Sequence, residues 1–180
     1  MHVMLDGNPV GYQWLDSPVG RLSVMASADG IVSVKRTNNH GLQAEASPAD
    51  NTLIVVQQTI NNHLAQATDE LEAYFRGELT RFTVALDLHG TDFQQQVWRA
   101  LQQIGYGHSC SYQDIASSIS RPKAVRAVGA ANGANPVAII VPCHRVIGKN
   151  GKLTGYAYGV AMKQYLLDLE QRSGNRKGAV

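Results

Sequence analysis

The hydrophobic pattern of the chain changes near residue 89, and this change constrains the fold more than any other feature. Before it, residues 12–37 carry short apolar runs separated by turn signals, which predicts three strands. Residues 47–79 have the apolar spacing of a helix, in one or two segments, and residues 81–90 alternate apolar and polar positions as a further strand does. Residues 1–89 are therefore expected to form an α+β domain.

After this change, the chain contains helical segments with strong start signals. Thr91 and Ser111 each precede an apolar helical pattern, with Gln or Asp three residues later to complete a capping box. A third helix is predicted to have Pro122 at its first position and to end near Gly133. Only about three residues are expected between the last two helices, which favours a helix-turn-helix that reads DNA. An ordinary helical hairpin is the alternative.

The rest of the second half is expected to complete a domain over residues 90–172. Residues 136–142 are apolar and predict a short buried strand, and a glycine-rich loop follows them. The segment 160–172 has the pattern of an amphipathic helix. Its inward side chains are predicted to be Met162, Tyr165, Leu166 and Leu169. Residues 173–180 are predicted to be a disordered tail.

The charges are divided unevenly between the two halves. Residues 1–89 hold 5 Lys/Arg and 10 Asp/Glu, a net charge of −5, whereas residues 90–180 hold 11 and 4, a net charge of +7. A basic half favours a polyanionic partner such as nucleic acid, and a solvated basic face is the alternative.

No apolar run approaches the roughly 20 residues of a membrane span, and two cysteines make no disulfide framework. A cytoplasmic protein is expected.

Cys143 follows the apolar run, between a proline and a histidine, and three roles are open to it. It could fill the core, as many cysteines do. A metal ligand would need companions at ligand spacing, and the chain has no C-x-x-C or H-x-x-x-H pattern, so no metal site is expected. A nucleophile would need a base to form the thiolate, and His144 is the obvious one.

The adjacency of Cys143 and His144 sets a geometric condition on that third role. Neighbouring residues of a strand point to opposite faces, so the two side chains require a turn or a bridging water to communicate. A histidine that acts as a base is usually oriented by a carboxylate. Glu170 and Asp168 are both candidates, and spacing alone does not choose between them.

Several segments of the second half match one known family. The segment NPVAIIVPCHRV, residues 135–146, resembles the active-site motif of the O6-alkylguanine-DNA alkyltransferases, also called methylated-DNA–protein-cysteine methyltransferases. Four more segments lie where that family places them: GTDFQQQVWRAL, YGHSCSYQDIA, RPKAVRAVGAANGANP and GYAYGVAMKQYLLDLE. The resemblance is close over residues 90–170 and loose over residues 1–89. It implies an α+β protein, with an N-terminal ribonuclease-H-like α/β domain followed by a winged helix-turn-helix domain.

The resemblance also implies a function, which is direct repair of alkylated DNA. Cys143 would take the alkyl group from O6-methylguanine, and from O4-methylthymine, after the damaged nucleotide has flipped out of the duplex. Glu170, His144 and a water molecule would relay the thiol proton away, and Asn135 would brace the turn that presents the sulfur. The transfer is irreversible and stoichiometric, needs no cofactor and no metal, and is expected of a monomer.

Further roles follow from the same resemblance. Tyr112 would donate a hydrogen bond to the guanine, the backbone of Cys143 and Val146 would accept from its exocyclic amine, and the loop at Tyr156 and Ala157 would cover O6. Arg126 would fill the space that the flipped base leaves. The small residues that would let this helix approach the minor groove are Ala124, Ala127 and Gly129. Tight packing of the helix is the alternative explanation for them.

The chain departs from the family pattern at Tyr158, where many members carry glycine. This tyrosine is expected to narrow the pocket and to disfavour bulky O6 groups.

Two other functions are alternatives to repair. One is a non-catalytic sensor of alkylated bases, but such relatives lack the motif cysteine that is present here as Cys143. The other is a Cys-His hydrolase, which would leave the helix-turn-helix without a purpose.

Overall fold

A computed structural model describes residues 3–5, 8–37, 51–153 and 155–177 of the chain. The chain divides into two compact units, Met1–Leu88 and His89–Val180. None of the described helices combines the length and the hydropathy of a membrane-spanning segment.

The first unit, where it is described, is an antiparallel sheet with one long helix. The strands are β1 (Val3–Leu5), β2 (Asn8–Ser17), β3 (Gly20–Ala26) and β4 (Ile31–Arg36), paired in sequence order. The three strands predicted over residues 12–37 are confirmed as β2, β3 and β4. The helical segment predicted over residues 47–79, as one or two helices, is a single helix, α1 (Asn51–Phe75). The predicted first residues, 47–50, lie outside the described residues.

Packing of α1 against β2 depends on a glycine. Ile60 and Leu64 of α1 are buried, and both meet the sheet at Gly11. A Cβ at Gly11 would lie 2.7 Å from Ile60 Cγ2, closer than side chains tolerate, so the helix can approach the sheet this closely only over a residue without a side chain.

The strand predicted over residues 81–90 is wrong. The segment makes one isolated bridge, between Leu86 and Ile31. The Glu70 carboxylate of α1 accepts from the backbone N–H groups of Thr83 and Val84, at 2.8 and 3.2 Å. Because these donors bond to a helix side chain, they are not available to a neighbouring strand, and the alternating sequence does not extend the sheet.

The second unit is mainly helical. Its elements are α2 (Asp92–Leu101), β5 (Cys110–Ser111), α3 (Tyr112–Ser118), α4 (Val125–Gly133), a 3-10 turn (Cys143–Arg145), β6 (Val146–Ile147) and α5 (Val160–Lys177). Both predicted capping boxes are present, at Thr91 with Gln94 and at Ser111 with Asp114. The helices α2, α3 and α4 pack on one another. The indole of Trp98 is buried and donates to Ala131 O at 2.9 Å, which ties α2 to α4.

The connection between α3 and α4 differs from the prediction. Helix α4 begins at Val125, not at Pro122, so six residues, 119–124, separate the helices rather than about three. A turn at residues 121–124, closed by a hydrogen bond from Ala124 N to Arg121 O at 2.9 Å, holds Pro122 before the helix. Ala124, assigned by sequence to this helix, is instead its N-cap residue.

The strand predicted over residues 136–142 is also wrong. Val137 to Val141 are buried, as expected, but they form a compact turn with an isolated bridge between Ala138 and Val141. Ile139 has a φ of 73°, a left-handed conformation that interrupts a strand. The reason is local: Val141 N donates to Val137 O at 3.0 Å, so the segment satisfies its own backbone groups.

Helix α5 buries only part of the face predicted for it. Met162 and Leu166 are buried as predicted, but Leu169 is half-buried and Tyr165 is 37% exposed. The buried face includes two charged residues, Lys163 and Glu170, which an apolar pattern does not count. The helix also extends to Lys177, so the disordered tail predicted from residue 173 is wrong through residue 177, and residues 178–180 lie outside the described residues.

Candidate active site

Cys143 begins the 3-10 turn and is buried, with 4% of its surface exposed. The side-chain amide of Asn135 donates to Cys143 Sγ at 3.1 Å and to Val141 O at 2.9 Å. The other end of the same amide, Oδ1, accepts from Val137 N at 3.0 Å. One asparagine therefore supports both the turn that precedes the cysteine and the sulfur itself.

His144 is completely buried and belongs to an ion-pair network with Glu170. Its Nε2 donates to Glu170 Oε1 at 2.7 Å, since a carboxylate can only accept. Glu170 is completely buried and also accepts from Gly107 N at 3.0 Å. Asp168, the other candidate from sequence, is 40% exposed and accepts from Gln164 on the surface. The structure therefore pairs His144 with Glu170.

Arg145 is the partner that sequence reasoning missed. Its Nε lies 2.9 Å from Glu170 Oε2 and its Nη2 lies 3.0 Å from Oε1, a bidentate ion pair. Its Nη1 donates to Ile104 O at 2.5 Å, and its guanidinium stacks 5.7 Å from the ring of Tyr106. The signal was its position beside Cys143 and His144. A bidentate, stacked geometry suits arginine and not lysine.

The electrostatics of the site keep the resting groups in defined protonation states. Burial alone would raise the pKa of Glu170, but the hydrogen bonds and charges of His144 and Arg145 outweigh burial and lower it to about 2. Burial lowers the pKa of His144, against the opposing effect of Glu170. Burial raises the pKa of the Cys143 thiol, against the Asn135 hydrogen bond. The resting site is therefore a carboxylate, a neutral imidazole and a thiol.

The comparisons with known proteins agree with this geometry. Residues 92–172 match the family model described as 6-O-methylguanine DNA methyltransferase, DNA binding domain, and residues 10–88 match its ribonuclease-like domain. A methylated-DNA–protein-cysteine methyltransferase of Mycobacterium bovis is 48% identical over 162 residues, 90% of this chain and 93% of the relative. The chain belongs to the O6-alkylguanine-DNA alkyltransferase family.

Relatives outside the mycobacteria and solved structures support the same family. A methylated-DNA–protein-cysteine methyltransferase of Methanosarcina acetivorans is 44% identical over 160 residues, 88% of this chain and 97% of the relative. The crystal structure of Mycobacterium tuberculosis OGT in complex with DNA aligns with a TM-score of 0.76 and 45% identity, covering 91% of this chain and 94% of that chain. The expected α+β fold, a ribonuclease-like domain followed by a DNA-binding domain, is confirmed.

Three tyrosines from two segments, Tyr112, Tyr156 and Tyr158, lie near enough to Cys143 to interact with it. Tyr156 is 9% exposed, and its ring meets that of Tyr158 edge to face at a centroid distance of 5.7 Å. Burial, and to a lesser extent the charge of Cys143, raise the pKa of Tyr158 to about 12. Half-buried Tyr112 begins α3, and a Cβ at Gly155 would lie 3.5 Å from its hydroxyl oxygen. Of the residues predicted to bind substrate, Tyr112 and Tyr156 thus lie near Cys143. Val146 is buried at the start of β6, and Ala157 is exposed on the loop of Tyr156.

The residues predicted to contact DNA lie at or next to α4. Arg126 and Ala127 are exposed, and Gly129 is half-buried with the ring of Tyr112 3.9 Å from the position of a Cβ. Val128, by contrast, is buried on the opposite face. Because Ala127 and Gly129 have little or no side chain, this face of α4 exposes its backbone to an approaching partner.

Among the described residues, no group of three His, Cys, Asp or Glu side chains could hold a metal ion.

Proposed function

We propose that this protein repairs DNA by transferring the alkyl group of O6-methylguanine to the sulfur of its own Cys143. The observation that carries the proposal is a buried thiol, held at 3.1 Å by Asn135, next to the buried pair of His144 and Glu170. Such an arrangement presents one sulfur in a fixed direction and provides a base with its counter-charge. Membership of the alkyltransferase family supports the same chemistry.

The proposed reaction begins with removal of the thiol proton. A water molecule would carry the proton from Cys143 to His144, and Glu170 would stabilise the imidazolium that forms. The thiolate then attacks the alkyl carbon, so that an S–C bond forms and the C–O6 bond breaks. The electron pair of that bond stays on the guanine, and Tyr112 would donate a hydrogen bond to it.

The product explains why the reaction would occur once for each protein molecule. A thioether on Cys143 has no acidic proton and is not opened by cellular thiols, so the nucleophile is not regenerated. We propose O4-methylthymine as a second substrate, because its methyl group is likewise attached to an exocyclic ring oxygen.

Access to the alkyl group requires the damaged nucleotide to leave the duplex, because the thiol is buried. We propose that the flipped base binds between Tyr112 and the loop at Tyr156 and Ala157, with its amine on the backbone of Cys143 and Val146. The exposed face of α4 would lie in the minor groove, and Arg126 would occupy the vacated stack.

The DNA partner is supported by the relative solved in complex with DNA. We propose that residues 90–172 carry both the chemistry and DNA binding, that the protein acts as a monomer, and that it works in the cytoplasm. One lesion and one thiol define a one-to-one reaction, so no second copy is required.

Intact-mass spectrometry tests the proposal. The protein is incubated with a duplex that contains one O6-methylguanine, and the expected result is a mass increase of one CH2 unit in the intact protein, found after digestion on the peptide that contains Cys143. The variant Cys143→Ser should bind the duplex without a mass change. Binding by the wild type without a mass change would instead support a sensor, and repeated turnover of an ester would support a hydrolase.

A further inference from the structure

Asn132 is a buried polar residue of α4 to which the proposed reaction gives no role. It is the penultimate residue of the helix and is 2% exposed. Its amide nitrogen, Nδ2, donates to Cys143 O at 3.4 Å, a long hydrogen bond. Its amide oxygen, Oδ1, has no hydrogen-bond partner among the described residues. A leucine of similar shape would avoid the cost of that buried oxygen, so the N–H donated to Cys143 is what an asparagine contributes here.

The orientation of this amide is fixed by its partner. A backbone carbonyl oxygen can only accept a hydrogen bond, so Nδ2 and not Oδ1 must face Cys143 O. The carbonyl has two lone pairs, and its second donor is the backbone N–H of Val146, which closes the 3-10 turn. Both acceptor positions of Cys143 O are therefore occupied by groups of the protein itself.

The other backbone carbonyl proposed to receive the base also has a donor within the protein, since Val146 O accepts from Lys163 Nζ. This arrangement bears on which bases the pocket tolerates. A site whose buried groups rely on the substrate for their hydrogen bonds rejects an analogue that lacks the matching group by roughly 10⁴–10⁵-fold. Where the protein supplies its own donor, a base without the donor leaves no buried acceptor unpaired.

The two proposed substrates differ at the edge that would face these carbonyls. Guanine carries an exocyclic amine with two N–H donors, whereas thymine carries a carbonyl oxygen at the corresponding position. An amine that enters the pocket can replace Asn132 on Cys143 O, because the bond that it displaces is long. A base without the amine leaves the bond from Asn132 in place.

We propose that Asn132 is a specificity-determining residue, whose amide occupies the carbonyl of Cys143 until the exocyclic amine of a guanine replaces it, and which thereby allows bases without that amine to be repaired. The inference rests on the proposed function, in which Cys143 takes the alkyl group and its carbonyl accepts from the guanine amine. Asn132 acts through this carbonyl, so its effect is on the choice of base and not on the chemistry at the sulfur.

The test compares duplexes that contain one O6-methylguanine, one O6-methylhypoxanthine or one O4-methylthymine, with single-turnover rates of methyl transfer read from the mass of the protein. O6-methylhypoxanthine is O6-methylguanine without the exocyclic amine, so the ratio of the guanine rate to the hypoxanthine rate isolates the amine. Asn132→Leu removes the donor at nearly constant volume, and we expect it to raise that ratio about 3–30-fold. Transfer from O4-methylthymine should likewise slow relative to O6-methylguanine. Asn132→Gln keeps an amide donor and should change the ratio less.

Ile115→Val is the matched control. Ile115 is buried in α3 of the same unit, and the loss of one methyl group lowers stability modestly without removing the hydrogen bond of Asn132. This variant should keep the wild-type ratio of rates. If Asn132→Leu does not fold, by thermal melting, Asn132→Met provides a second apolar variant for the same measurement.

Three results would overturn the inference. They are an unchanged or lowered guanine-to-hypoxanthine ratio in Asn132→Leu, an equal rise of that ratio in Ile115→Val, and a wild type that repairs O6-methylguanine but rejects O6-methylhypoxanthine by roughly 10⁴-fold. Failure of the wild type to take the methyl group from O6-methylguanine would instead refute the proposed function, so the two failures are distinguishable.

Discussion

The substitution Glu170→Gln tests the buried ion-pair network most directly. It keeps the size of the side chain but removes the charge that accepts from His144, Arg145 and Gly107. The amide NH2 group of the new glutamine would also face the N–H donors of Arg145, with which it cannot form a hydrogen bond. Arg145 would then be left as a buried cation without its carboxylate, a change that destabilises proteins by about 3–5 kcal/mol.

The pKa of Glu170 provides an independent magnitude. A shift from its ordinary 4.5 to about 2 corresponds to roughly 3 kcal/mol of stability, in agreement with the first figure. Because the pKa is lowered in the folded protein, this contribution is fully present above the unfolded pKa near 4.5. It is lost as the pH falls from about 4.5 towards about 2. Glu170→Gln should therefore flatten the fall in stability over that range.

Urea unfolding at pH 7 and at several acidic pH values measures both effects. The matched control is Asp168→Asn on the same helix, whose carboxylate is 40% exposed and lies 4.0 Å from Arg172. That change should alter the free energy of unfolding by less than about 1 kcal/mol. A loss below about 1 kcal/mol for Glu170→Gln at pH 7, or an unchanged acid profile, would refute the account of the network given above.

Three further predictions concern single side chains around the sulfur and on α4. Asn135→Ala should lower stability by about 1–3 kcal/mol in urea and slow methyl transfer, because the N–H of Val137 and the sulfur both lose their partner; an unchanged transfer rate would contradict the bracing role. Tyr158→Gly should raise the rate of benzyl transfer relative to methyl transfer, because it removes the ring beside Tyr156, and equal rates in the wild type would already contradict the narrow pocket. Arg126→Ala should slow repair of the duplex but not transfer from free O6-methylguanine base, and equal slowing on both substrates would exclude a role in flipping.

Elements with local causes were predictable from the sequence. The capping boxes at Thr91 and Ser111 were predicted correctly because each cap and its partner are three residues apart. Strands β2 to β4 were likewise predictable, since a turn signal and the alternation of apolar and polar residues each depend on only a few consecutive residues. The family motif around Cys143 identified the chemistry in the same way, through a short and specific run of residues.

The two strand predictions failed where a side chain, and not a neighbouring strand, forms the hydrogen bonds of the backbone. Residues 81–90 alternate like a strand, but Glu70 of α1 binds the donors of Thr83 and Val84. Residues 136–142 are as apolar as a buried strand, but the amide of Asn135 and a left-handed Ile139 fold them into a turn. Hydrophobic pattern reports which side chains are buried and does not report which group satisfies each backbone hydrogen bond.

The sequence by itself determined the family and identified Cys143 as the proposed nucleophile, with His144 beside it, because these depend on residue identity at fixed spacing. The family resemblance implied Glu170 as the partner of His144 where spacing alone left Asp168 open, and the structure shows that hydrogen bond. Only the tertiary structure revealed that Arg145 shares the carboxylate and that Lys163 is buried with its ammonium on the carbonyl of Val146. These partners are separated by 17 to 26 residues along the chain. The energy of a buried charge depends on every group packed around it, and that arrangement exists only once α5 lies against the turn of the nucleophile.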